Sequence, residues 1–273
     1  ANNGVGTIRH QLISLDIISS GIESIADLPQ TLTKLSISHL NTLRFADNGE
    51  HYHVELQTPL PSGLKFLRIR DLRSTNDISN LVQLQTLEIG SILNRSKPFS
   101  LPSELIHFSI GDPTWNGQKT AGVFLSKIWP ALPKTLKSLV INADEIWGLH
   151  GDNVSENDVK MCDLPTGLTS LQFYSKSFAF SRGDYFNKEL ISLKTNIFDE
   201  DSDFDLKMFP PKLTELETTV VGNSSFDFVG GIPSSITSLS VVGEDRLNQF
   251  GNFPRHVKIF RFITGTYQKS IYG

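Results

Sequence analysis

The sequence has 273 residues, 38% of them apolar and 20% charged, with 25 basic residues against 29 acidic ones and a net charge of −4. That composition supports a sizeable core and excludes a disordered chain, and the near balance of charge argues against general binding to nucleic acid or to an anionic membrane, which draws on a basic excess. A lone cysteine, Cys162, excludes an internal disulfide framework, and no apolar run approaches the roughly 20 residues of a membrane helix.

In chain order, one phrase returns again and again: an apolar residue, proline, two variable residues, Leu, two variable, Leu, one variable, apolar. It is first clear at Leu28-Pro29, with Leu32, Leu35 and Ile37. It recurs at Leu60-Pro61 (Leu64, Leu67, Ile69), Leu101-Pro102 (Leu105, Phe108, Ile110) and Leu132-Pro133 (Leu136, Leu139, Ile141). It recurs at Leu164-Pro165 (Leu168, Leu171, Phe173), Phe209-Pro210 (Leu213, Leu216), Ile232-Pro233 (Ile236, Leu239, Val241) and Phe253-Pro254 (Val257, Phe260, Phe262). Three copies lack the proline: Leu12/Leu15/Ile17, Leu84/Leu87/Ile89 and Leu190/Leu193. The eleven units tile residues 12–262 at intervals of 20 to 23 residues, except for three of 31 or 32.

Fixed-interval self-similarity of this kind marks a repeat architecture. The second Leu and the apolar residue two places on alternate with a polar residue, the pattern of a short half-buried strand. Proline, with φ near −65° and no N–H, suits the tight entry before that strand. Three or four core residues cannot hold one unit folded alone, so the units must stack into a continuous core. Eleven strands at roughly 4.8 Å spacing give a sheet on the order of 50 Å long.

On these residues the chain resembles the leucine-rich repeat family. Its proline-led form is similar to the FNIP-type repeats of protists and to the LPX-type repeats of bacterial effectors. The resemblance implies an α/β solenoid over residues 1–273 as one domain. That solenoid is a horseshoe with a curved parallel sheet on its concave side and loops, 3₁₀ turns and short helices on its convex side. The family's asparagine after the strand is mostly absent, with Asn142 and Asn196 as loose stand-ins.

The three long units carry insertions at about 38–59, 111–131 and 142–163. The first reads as an extra hairpin of Leu40–Phe45 and His51–Leu56. The second holds Trp115 and a helical spacing from Thr120 to Ile128, stopped by Pro130. The third holds Trp147 and a helix start capped by Ser155. The last two follow neighbouring units and are expected to build one rim feature.

The same resemblance places the variable strand residues on the concave face. The candidate binding residues there are Lys34, Phe66, Arg68, Arg70, Glu88, His107, Gln172, Tyr174, Lys194, Glu215, Glu217 and Arg261. Arginine and aromatic residues are the usual anchors of protein interfaces. The expected partner is therefore a protein or peptide, and solvated strands carrying ordinary polar residues are the alternative for each position.

Catalytic chemistry is sparse. The run Asp199–Asp205 offers alternate carboxylates but lacks the Gly and Glu of a twelve-residue calcium loop, and reads as a solvated loop. His51 and His53 supply two imidazoles where zinc needs three or four ligands. Cys162 has no evident base and reads as a structural thiol. No hydrolase elbow, phosphate loop or dinucleotide fingerprint occurs. The expectation is a non-enzymatic recognition module without cofactor. The alternatives are the substrate-recognition part of a larger enzyme, such as a ubiquitin ligase, or an adhesion protein. Sequons at Asn94, Asn153 and Asn223 suit a secreted or surface setting, whereas the absence of cysteine-rich caps suits an intracellular one.

Overall fold

Alternation of Leu and Ile with polar residues builds strands, and the computed structural model has them where the repeats fall. It describes residues 11–18, 24–25, 28–38, 55–56, 60–72, 78–92, 100–111, 123–124, 128–143, 146–147, 164–175, 186–195, 209–220, 232–243 and 255–264. The chain divides into two compact units, 1–118 and 119–273.

The first unit holds β1 (Ser14–Ile18), β2 (Ser24–Ile25), β3 (Lys34–Ser38), β4 (Glu55–Leu56), β5 (Phe66–Leu72), β6 (Thr86–Ile92) and β7 (His107–Ile110). The second holds β8 (Val123–Phe124), a 3₁₀ turn (Trp129–Ala131), β9 (Ser138–Ala143), β10 (Ile146–Trp147), β11 (Ser170–Ser175), β12 (Ser192–Thr195), β13 (Glu215–Val220), β14 (Ser238–Gly243) and β15 (Ile259–Thr264). Eleven long strands run in chain order: β1-β3-β5-β6-β7 in the first unit and β9-β11-β12-β13-β14-β15 in the second. Every pair within each unit is parallel, and the register joins like motif positions, as in Leu35↔Leu67 and Leu171↔Leu193. The architecture is a repeat solenoid of parallel strands with almost no helix among the described residues.

Backbone bonding explains the constancy of the repeat. The carbonyl just before nine of the long strands accepts two N–H donors from the following repeat. Ile13, Thr33, Lys65 and Gln85 do so in the first unit, and Lys137, Thr169, Ile191, Thr214 and Thr237 in the second, all at 2.8–3.2 Å. Each of the seven described motif prolines accepts at its carbonyl the N–H of the Leu or Ile three residues on, at 2.9–3.4 Å. Proline fixes the head of a turn whose own N–H is not needed. Where proline is missing, Leu81 and Asn187 supply the same carbonyl. Asn187 adds side-chain bonds: its amide donates to the Pro165 and Leu168 carbonyls of the previous repeat, and its Oδ1 accepts from the Glu189 N–H.

The core is the stacked column. The three apolar motif residues of the repeats at 32, 64, 84, 105, 136, 168 and 236 are buried, most of them fully. Burying each such side chain contributes roughly 1.5–3 kcal/mol. At 190 and 213 the third position is a threonine instead, Thr195 and Thr218, fully buried and register partners of each other. A second column runs beside the turns. Phe186 and Phe209 stack there with centroids 6.5 Å apart and ring planes 8° apart.

Two expectations are corrected. The spacing at Val123, Phe124 and Ile128 suggests a helix, yet Val123–Phe124 is a strand pairing in parallel with Ile146–Trp147. A β-branched residue beside an aromatic suits a strand as well as a helix stripe. Ile128 is helical, and Pro130 lies inside the 3₁₀ turn that follows it. In the first insertion, Glu55–Leu56 pairs in parallel with Ser24–Ile25, where a hairpin partner was expected from residues 40–45, which lie outside the described residues. The helix start at Ser155 also lies outside them.

Candidate functional site

Side chains of successive strands form rows across the sheet face opposite the core, because parallel register keeps like positions adjacent. One row runs Ser14, Lys34, Phe66, Thr86 and His107 in the first unit, and Ser138, Ser170, Ser192, Glu215, Ser238 and Ile259 in the second. The next runs Asp16, Ser36, Arg68, Glu88 and Ser109, then Val140, Gln172, Lys194, Glu217, Ser240 and Arg261. The candidate residues therefore share one face within each unit.

In the first unit these residues hold one another. The Lys34 ammonium lies 5.1 Å from the centroid of the Phe66 ring, within cation–π range. Beside them the Arg68 guanidinium donates to the Glu88 carboxylate at 2.5 Å. His107 is half-buried one strand beyond Glu88. Burial holds its imidazole below the ordinary value, and the nearby Glu88 carboxylate partly opposes that. Arg70 lies on β5, with its side chain outside the described set.

In the second unit Glu217 is the hub. Its Oε1 accepts a 2.7 Å hydrogen bond from the Tyr174 hydroxyl, two strands away. Its Oε2 lies 3.6 Å from the Lys194 ammonium on the strand between them. Gln172 is half-buried beside this group, and Glu215 is exposed. Arg261 is exposed on the last strand. Three small serines of this face, Ser36 and Ser109 in the first unit and Ser240 in the second, are nearly buried, which keeps the sheet surface low between the larger groups.

The sequence reading passed over Asp16, although it occupies the same motif position as Arg68 and Glu88. It also passed over the buried turn residue Phe186. Asp16 was legible from the motif alone, because its place is fixed by Leu15 and Ile17. Among the described residues no three His, Cys, Asp or Glu converge to hold a metal ion. His51, His53, Cys162, the acidic run Asp199–Asp205 and the three sequon asparagines lie outside the described residues.

No family model and no curated protein matches the sequence. Among solved structures, the chain is similar to one described as CroV588, a novel circular LRR protein, with a TM-score of 0.52 and 20% sequence identity. The match covers 93% of this chain and 34% of that one, so the chain spans about a third of the neighbour's length. At that identity the likeness shows the fold, a leucine-rich repeat solenoid.

Proposed function

We propose that this chain is a non-enzymatic recognition module of the proline-led leucine-rich repeat type, holding a protein partner against the strand face opposite its core. The observation that carries the reading is the composition of that face. Each unit presents an aromatic ring beside fixed charges: Phe66 with Lys34, Arg68 and Glu88, and Tyr174 with Lys194 and Glu217. Aromatic anchors amid charge pairs that set orientation are the components of a selective protein interface. The pairs are already made within the sheet, so a partner meets an ordered surface and loses little entropy in fixing it. The reading takes residues 1–273 as one repeat domain. The proline-led subtype is supported by the turn that each motif proline heads.

The experiment is affinity capture from cells that make the protein, with two patch variants beside the wild type. One is Phe66→Ala/Arg68→Ala and the other is Tyr174→Ala/Gln172→Ala. The reading expects a protein retained by the wild type and lost from at least one variant whose circular dichroism is unchanged. Equal retention by the wild type and both variants would overturn it.

A further inference from the structure

We propose that the turn edge of the second unit, around Gly167, is a binding site for a carboxylate-rich segment of a partner protein. The inference concerns the turns that lead into the strands and stands apart from the reading of the strand face. In the repeats at 136, 168, 190 and 213 these turns carry Lys134, Lys137, Lys188 and Lys212, all exposed, against one acid, Glu189. The described turns of the first unit carry only Lys65 and Glu104.

The edge shows how it grips a carboxylate. Glu189 stands two residues after Asn187, which takes the proline's place, and its Oε2 accepts from the Lys212 ammonium of the following repeat at 2.5 Å. One repeat earlier the same motif position is Gly167, and the side chain is missing where Glu189 supplies an acid. The cations there remain. The Lys137 ammonium reaches over from the previous repeat to 3.0 Å from the place a Cβ on Gly167 would take. Lys134 and Lys188 hold the position of Thr166 in the repeats before and after it, roughly 4.8 Å to either side by strand spacing. Among the described residues none of these three lysines has an acidic partner. The Pro165 and Leu168 carbonyls of the turn are taken by the Asn187 amide. The N–H groups of Thr166 and Gly167 meet no backbone carbonyl among the described residues. The gap is thus bordered by donors and positive charge. One exposed ion pair contributes little, but several cations about one gap act together on an anion. The lysines end within four repeats, roughly 15 Å, and the whole chain has a net charge of −4. A short acidic stretch of protein matches that extent, whereas a nucleic acid backbone runs on past the cations that would hold it.

Fluorescence anisotropy of a labelled peptide of about six glutamates, titrated with the full chain at physiological ionic strength, tests the site. A glutamine peptide of equal length and a single-stranded RNA of equal charge serve as comparisons. The expected result is binding of the glutamate peptide alone, weakened at least roughly tenfold by Lys137→Gln/Lys188→Gln and by Gly167→Glu, which places an acid in the gap. Lys65→Gln, at the motif position of Lys137 but in the first unit, should change it by less than about twofold. The substituted lysines are exposed, and far-UV circular dichroism verifies that each variant is folded. No binding of the glutamate peptide, equal or tighter binding of the RNA, or equal weakening by Lys65→Gln would overturn the proposal.

Discussion

Thr218 fills a core position that Ile or Val holds in most repeats, and its Oγ1 is buried without a hydrogen-bond partner among the described residues. An unsatisfied buried hydroxyl costs free energy that a methyl group does not. Thr218→Val should therefore raise stability by about 1 kcal/mol, seen as a higher urea midpoint at unchanged slope. His107 gives a second residue-scale prediction. Its folded pKa is lowered by burial, with Glu88 opposing. The unfolded chain therefore takes up this proton first as pH falls, and stability from this group is complete above the ordinary imidazole value and declines below it. His107→Gln should flatten the fall in stability between pH 7.5 and 5.5. An unchanged slope in urea titrations at those two pH values would contradict the assignment.

At the scale of the element, one repeat contributes a turn, a strand and three inward side chains, and its neighbours on both sides close the layer. An inner layer and an end layer should then respond differently to the same kind of cut. Leu171 is fully buried between Leu139 and Leu193 in register, so Leu171→Ala should cost about 2–5 kcal/mol. Phe260 is 38% exposed on the last strand, so Phe260→Ala should cost less despite the larger side chain. Equal losses by urea unfolding would contradict the difference in burial between the two positions. The strands and their register were legible because Leu, Leu and Ile recur at fixed spacing and side-chain period two leaves one face for each. Asn187 was harder to see, because its turn is set by a carbonyl that any residue supplies and by an amide reaching back to Pro165. The pairing of Val123–Phe124 with Ile146–Trp147 was hidden for another reason: two-residue strands carry no periodicity, and their partners lie in different repeats.

At the scale of the molecule, the repeat separates its two faces by rule. One takes the apolar rows and is the same from repeat to repeat; the other takes whatever the variable positions hold. That is why candidate residues could be assigned to a common face from sequence, while their mutual pairing could not. Arg68 with Glu88, and Glu217 with Tyr174 and Lys194, depend on side-chain reach across strands that lie 20 to 43 residues apart in the chain. Site-specific photo-crosslinking in cells that make the protein tests the face directly. A photoreactive amino acid replaces Gln172 on the sheet face in one variant and the exposed turn residue Lys188 in another. The account predicts a discrete protein adduct from position 172 and none from position 188. An adduct from 188 alone, or the same adducts from both, would contradict it.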